Sequence, residues 1–126
     1  WQALGQYHGT PIEKMLNMDI RPYDDRIECP EGFTPMPAKK DHPLVKGMGW
    51  EDAPPLLLGY NQVKAQDQDE VILEYEGDPI LTARDYGKGR VMGFLSDIAP
   101  HWAMGFIKWE NYGKFWSTCL HWAAKK

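Results

Sequence analysis

Apolar and polar positions follow three distinct patterns along this chain, and each predicts its own element. The run Val91-Met92-Gly93-Phe94-Leu95 contains no polar residue. Such a run predicts a strand covered on both faces, the kind found inside a helix-flanked sheet. It is entered through Tyr86-Gly87-Lys88-Gly89, a tight glycine turn, and stops at Ser96 and Asp97, so a central strand is expected over Arg90 to Asp97. From Glu70 to Glu76 the pattern alternates, with Val71, Leu73 and Tyr75 on one face and Glu70, Glu74 and Glu76 on the other. That is a half-exposed strand. Gly77-Asp78 reads as a two-residue hairpin turn, and Pro79 to Asp85 as the antiparallel return. In the third pattern Tyr112, Phe115, Trp116, Cys119, Leu120 and Ala123 share one helical stripe. Burial of Phe115, Trp116 and Leu120 would contribute about 1.5 to 3 kcal/mol each.

The remaining segments are punctuated by turn residues. Thr10 suits a helix N-cap, Pro11 the first helical position, and Glu13 completes a capping box, giving a short helix that ends before Asn17. Met18 to Arg21 can extend as a strand limited by Pro22. Pro30, Gly32, Pro35 and Pro37 predict an irregular stretch over residues 28 to 40, and loops of that length tend to be functional or to wrap another element. Asp41 to Gly47 reads as a capped single turn. Leu56 to Val63 is a second apolar strand, with a bulge or a close backbone approach expected at Gly59, and Gln66 to Asp69 is a polar turn.

With 126 residues the chain fits one domain, residues 1–126, which buries roughly two-thirds of the surface that its unfolded form exposes. Apolar residues make up 43% and charged residues 25%, which argues against disorder. A formal charge of -4 argues against nucleic acid or an anionic membrane as partner. No apolar stretch approaches the roughly 20 residues of a spanning helix, and a cytoplasmic location is expected. Cys29 and Cys119 have no second Cys or His at ligand spacing, so two unpaired thiols are expected, with no metal and no cofactor. Six Trp and six Tyr exceed what a core of this size requires, which points to a stacking surface or a buried interface. The sequence opens on Trp1, with no preceding cap or strand, so either residues were removed or it is a piece of something longer.

In helix-flanked sheets ligands collect beyond the carboxyl ends of strands. That end of the central strand carries Ser96, Asp97, His101 and Trp102, with Asn61 on the neighbouring strand as a further ligand-binding candidate. Asp97 either orients a base, sugar hydroxyl or metal, or caps the following turn. His101 is a general base or a structural ring. Trp102 is a stacking platform or a packed side chain. Asn61 directs its amide into the crevice or repairs a bulge at Gly59. Lys88 and Arg90 flank a turn at the opposite end of the strand and read as part of a plain hairpin. The acidic pairs Asp24-Asp25 and Glu51-Asp52 read as solvated loop residues. His8 and His42 share no ligand spacing.

Several ordered motifs carry a resemblance: His42-Pro43-Leu44-Val45-Lys46-Gly47, Gly59-Tyr60-Asn61, Asp78-Pro79-Ile80-Leu81, Tyr86-Gly87-Lys88-Gly89-Arg90-Val91, Ser96-Asp97-Ile98-Ala99-Pro100-His101-Trp102, Phe115-Trp116 and His121-Trp122-Ala123. Together they resemble the glutamine-amidotransferase-like family, which is similar to the trehalose-utilisation-like proteins within the class I glutamine amidotransferase superfamily. The resemblance implies a flavodoxin-like three-layer α/β sandwich, of which this chain matches the C-terminal portion. An antiparallel meander would lead into its central strand, and an amphipathic helix would close it. In catalytic members a cysteine on a Gly-x-Cys-x-Gly elbow is activated by a His-x-Glu pair at the end of a late strand. Here Cys29 lies between Glu28 and Pro30, Cys119 lies on the apolar stripe of a helix, and Leu95-Ser96-Asp97 stands where the His-Pro-Glu is expected.

Three functions follow from these observations. One is a domain that binds a small polar molecule and lacks the nucleophile elbow in this chain. Another is a hydrolase or amidotransferase whose nucleophile lies upstream of Trp1, with Asp97 or His101 assisting it. The third is an oligomerisation module, with the aromatic excess marking an interface between copies or with a missing N-terminal half.

Overall fold

A computed structural model describes residues 6–125. Along the chain run α1 (Pro11–Leu16), β1 (Met18–Asp19), β2 (Arg26–Phe33), β3 (Met36–Pro37), β4 (Leu57–Asn61), β5 (Lys64–Ala65), β6 (Val71–Tyr75), β7 (Asp78–Tyr86), β8 (Gly89–Phe94) and α2 (Tyr112–Ala123). The four-stranded sheet has the order β3-β6-β7-β8, while β1 pairs with β5 and β2 with β4; every pairing is antiparallel. The result is a mixed α/β fold.

Thr10 and Pro11 start α1 as the sequence implies, and Asn17 ends it in the left-handed region at φ 55°. The capping box closes one residue early. The Thr10 hydroxyl donates to the Tyr7 carbonyl, and the Glu13 carboxylate accepts from the Gly9 N–H and, at 3.0 Å, from the Ile20 N–H. Those two main-chain donors hold the Glu13 carboxyl below its usual range and tie the helix to the segment after β1. The strand expected over Met18 to Arg21 is confined to Met18–Asp19.

The stretch expected to be irregular over residues 28 to 40 instead contains most of β2 and all of β3. Proline is tolerated because Pro30 falls where the β2–β4 register shifts, between Glu28 and Phe33, so its missing N–H interrupts no regular pair. The first hairpin turn also differs by one residue. Glu76 and Gly77 both have positive φ, 48° and 87°, and Tyr75 pairs with Asp78. A two-residue turn of that hand requires positive φ at both central positions, which makes Glu76-Gly77 the turn and Asp78 the first residue of β7. The alternation expected in β6 gives way to burial of Val71, Ile72 and Leu73 together, since this strand lies between β3 and β7 with both faces covered.

The expected central strand is shorter and lies at an edge. Within the four-stranded sheet β8 pairs only with β7, and most of its side chains are half-buried. Both faces are nonetheless covered. Phe94 meets Trp116 of α2 edge-on at 5.2 Å, while a Cβ at Gly93 would lie 2.5 Å from the Met18 side chain and 3.3 Å from that of Leu16. Beyond Phe94, Leu95 donates to the Ile80 carbonyl at 2.9 Å and accepts from the Asn61 N–H at 2.7 Å. This residue joins the end of β8 to β4.

On α2, Phe115 and Cys119 are buried and Trp116 and Trp122 partly so, but Leu120 is 68% exposed. The buried stripe continues from Cys119 to Trp122, three residues on, and so turns Leu120 to solvent. Phe106, Phe115, Leu44, Leu73 and Ile80 form the centre of the core. Trp50 packs against Trp109 at 4.6 Å and edge-on to Phe115 at 5.4 Å. Every tryptophan among the described residues is buried or packed on the core, whereas Tyr7, Tyr23 and Tyr86 are exposed.

Candidate functional site

The end of β8 gathers the predicted residues by short main-chain contacts. Ser96 Oγ donates to the Gly59 carbonyl at 2.7 Å, which commits that hydroxyl to fastening the strand end onto β4. Asp97 Oδ2 accepts from the Trp102 N–H at 3.1 Å and pairs with His101 Nδ1 at 2.8 Å. Capping the turn and orienting the imidazole are therefore performed by one carboxylate oxygen. The side chains of Asp97 and His101 are 37% and 53% exposed, respectively. The His101 backbone has φ 147°, a region that L side chains rarely adopt, and its ring stacks on Trp102 with centroids 5.3 Å apart.

Trp102 is only 5% exposed. Its indole N–H donates to Glu28 Oε2 at 2.9 Å, and one edge of the ring presses on Gly59, where a Cβ would come within 2.4 Å. The ring is thus packed and its N–H engaged within the protein. The sequence left a bulge or a close approach open at Gly59, and both are found: the indole approach leaves no room for a Cβ, and the β2–β4 register shifts directly after the Glu28–Gly59 pair. Asn61 donates through Nδ2 to Asp25 Oδ1 at 2.7 Å.

Glu28 and Asp25 thus join the site, although sequence reasoning passed over Glu28 and read Asp25 as a solvated loop residue. Arg26-Ile27-Glu28-Cys29 does alternate polar with apolar, a strand signal that the following prolines obscured. Asp24, next to Asp25, is engaged by the guanidinium of Arg26 and its N–H, which hold the carboxyl down to about 2. Arg90 also departs from the plain hairpin: its guanidinium lies 4.8 Å from the Trp122 ring centroid and donates to the Trp122 carbonyl at 2.9 Å, fastening the end of α2.

A cavity of about 440 Å³ opens between α1, the segment 20–26 and the end of β8. Asn61 lines it; Ser96, Asp97, His101 and Trp102 do not. The five predicted residues therefore divide between this cavity and the more exposed Asp97–His101 pair.

Both cysteines are free thiols. Burial pushes the Cys119 thiol up to about 12, and burial together with Glu76 and Glu28 also raises that of Cys29, so neither favours thiolate. Asp97 and His101 supply two donors, fewer than the three or four protein ligands usual for zinc. Among the described residues no group of three or more potential metal ligands occurs, and no helix is long and apolar enough to cross a membrane.

Antiparallel strands packed under α2, with polar side chains gathered past the end of β8, place the chain among mixed α/β proteins. It belongs to the family described as "Putative glutamine amidotransferase", whose model matches residues 2–125. Two solved structures from Salmonella are similar to it. "Cytoplasmic Protein STM1381 from Salmonella typhimurium LT2" shares 34% identity with a TM-score of 0.84, over 97% of this chain and 49% of that one. "Cytoplasmic Protein STM3548 from Salmonella typhimurium" shares 33% identity with a TM-score of 0.82, over 93% of this chain and 47% of that one. The chain thus spans about half the length of the solved structures it matches. No curated protein matches it.

Proposed function

We propose that residues 1–126 form the C-terminal part of a flavodoxin-like glutamine amidotransferase-like domain. In this reading it binds a small polar molecule beside Asp97 and His101 and does not itself carry a hydrolytic nucleophile. The observation that carries the binding site is the shared carboxylate oxygen: Asp97 Oδ2 fixes both the turn and the imidazole, so the ring is held in one orientation at the end of a strand. The absence of a nucleophile is supported by the placement of the thiols, with Cys29 inside β2 and Cys119 within α2, neither on a strand-to-helix turn. The half-length match to the solved neighbours supports a partial domain, and their names support a cytoplasmic location.

The test is a binding screen of sugars, nucleotides and amides by calorimetry on the protein and on Asp97→Asn and His101→Gln variants. Each variant is expected to weaken a hit by about tenfold or more, the cost of losing or misorienting one charge-assisted hydrogen bond. Hits that bind all three proteins equally would remove this site from consideration.

The 2.8 Å Asp97–His101 contact also supports a second reading, in which a nucleophile elsewhere in a longer protein is assisted by His101 as base. A carboxylate that orients an imidazole is the supporting half of a nucleophilic triad. Amide hydrolysis by a protein as long as its solved neighbours, with kcat lowered and KM unchanged in Asp97→Asn, is the expected result; equal rates in the variant exclude it. For partners, self-association is proposed on the strength of Leu120, Met104 and Ile98, large apolar side chains that lie exposed.

A further inference from the structure

We infer that the cavity between α1, segment 20–26 and β8 is a second binding site, separate from Asp97 and His101. Its ligand is a small organic acid with an apolar body and one hydrogen-bond donor, as in an α-hydroxy acid. A volume of about 440 Å³ lies within the range of small-molecule pockets, roughly 300 to 1,000 Å³. Its walls combine an apolar surface with a few polar groups, the usual composition of such sites. Met18 and Val63 are buried side chains and Leu95 is partly buried, and together they supply the apolar part.

The charged groups decide the ligand chemistry. Arg26 is neutralised by Asp24. Arg21 is not: its guanidinium donates to the Tyr23 hydroxyl at 3.1 Å and lies against that ring, and no carboxylate among the described residues forms an ion pair with it. A guanidinium with a neutral partner at the wall of a half-apolar cavity is suited to a carboxylate, which it can grip with two parallel hydrogen bonds. Among the described residues Asp25 meets only neutral donors, the amide of Asn61 at 2.7 Å through its side chain and the N–H of Gln62 at 2.8 Å through its carbonyl. Its carboxylate retains acceptor capacity for a ligand hydroxyl. Among the described residues the cavity thus offers one cation and one anion that are not ion-paired, and an apolar wall. An apolar acid that carries a hydroxyl satisfies all three, whereas a simple amide leaves the cation unmet and a fully apolar molecule leaves both charges unmet.

Calorimetry with phenyllactate, its primary amide and 3-phenylpropionate tests this on the protein. Phenyllactate is expected to bind most tightly, with the amide weaker because it lacks the carboxylate and phenylpropionate weaker because it lacks the hydroxyl. Arg21→Met should weaken phenyllactate by about tenfold or more and leave the amide unchanged, since the lost contact is to the carboxylate. Asp25→Asn should erase the preference for phenyllactate over phenylpropionate. Asp97→Asn and His101→Gln should leave all three affinities unaltered, so failure of this site and failure of the Asp97–His101 site are distinguishable. The inference is overturned if phenyllactate does not bind, if amide and acid bind equally, or if Arg21→Met has no effect while circular dichroism shows the variant folded. Val63→Trp, which fills the cavity, should abolish binding of all three ligands, and retained binding in that variant places the ligand elsewhere.

Discussion

The indole ring of Trp102 rests on the backbone of Gly59, so close that a Cβ at position 59 would stand 2.4 Å from two of its atoms. Ser96 holds the same glycine from the other chain segment through its carbonyl. Gly59 is therefore the point at which β4, the end of β8 and the loop after it are locked together.

Gly59→Ala should destabilise the protein by about 1 to 3 kcal/mol, the usual cost of forcing one extra carbon into a packed interior. Urea denaturation followed by tryptophan fluorescence measures it. An unchanged midpoint would mean that the indole shifts freely, contrary to a ring anchored by Glu28 at 2.9 Å.

Arg90 fastens the end of α2 by a contact with the Trp122 ring and a hydrogen bond to the Trp122 carbonyl. Arg90→Gln should cost about 1 to 2 kcal/mol, since it removes a cation over an aromatic face together with a charge-assisted bond. Thermal melting by circular dichroism reads the loss, and Arg90→Lys should recover only part of it, because an ammonium does not reproduce the planar fork.

Burial raises the Cys119 thiol from about 9 to about 12. Between those values the unfolded chain has released the proton that the folded chain retains. Stability from this group is therefore fully present below pH 9 and is lost as pH rises toward 12. Denaturation midpoints should fall over that window, and Cys119→Ala should show a shallower decline from a lower starting stability. At pH 8, iodoacetamide should label Cys119 only after unfolding, and rapid labelling of the native protein would contradict the burial of this thiol.

Leu120 is 68% exposed and belongs to no part of the core. Leu120→Glu should leave monomer stability within about 0.5 kcal/mol, as for other exposed substitutions. If copies associate through this face, sedimentation velocity should show the variant shifting to a smaller species. Identical sedimentation of both proteins removes Leu120 from the interface.

The elements with strong local signals were legible in advance. Thr10, Pro11 and Glu13 marked α1, the apolar stripe marked α2, and the two glycine-rich hairpins marked the antiparallel meander, because capping and turn geometry are imposed by neighbouring residues. The family resemblance rested on ordered motifs that span the same elements. The inferences that failed were ones that needed to know what lies across space. Prolines hid β2, since only its pairing with β4 reveals that Pro30 sits at a register shift. An apolar run marked β8 as covered, but coverage by α1 and α2 does not distinguish a central strand from an edge strand.

The candidate site divides in the same way. The sequence by itself determined that Ser96, Asp97, His101 and Trp102 follow the strand, and that Asp97 and His101 are four residues apart in a turn where they can meet. Only the tertiary structure decided that Trp102 is packed on Gly59, that Glu28 and Asp25 come from a distant strand and loop to serve Trp102 and Asn61, and that Leu120 faces out. The physical reason is range: caps and turns satisfy main-chain hydrogen bonds within a few residues, whereas burial and side-chain partnership depend on which distant segment fills the remaining space.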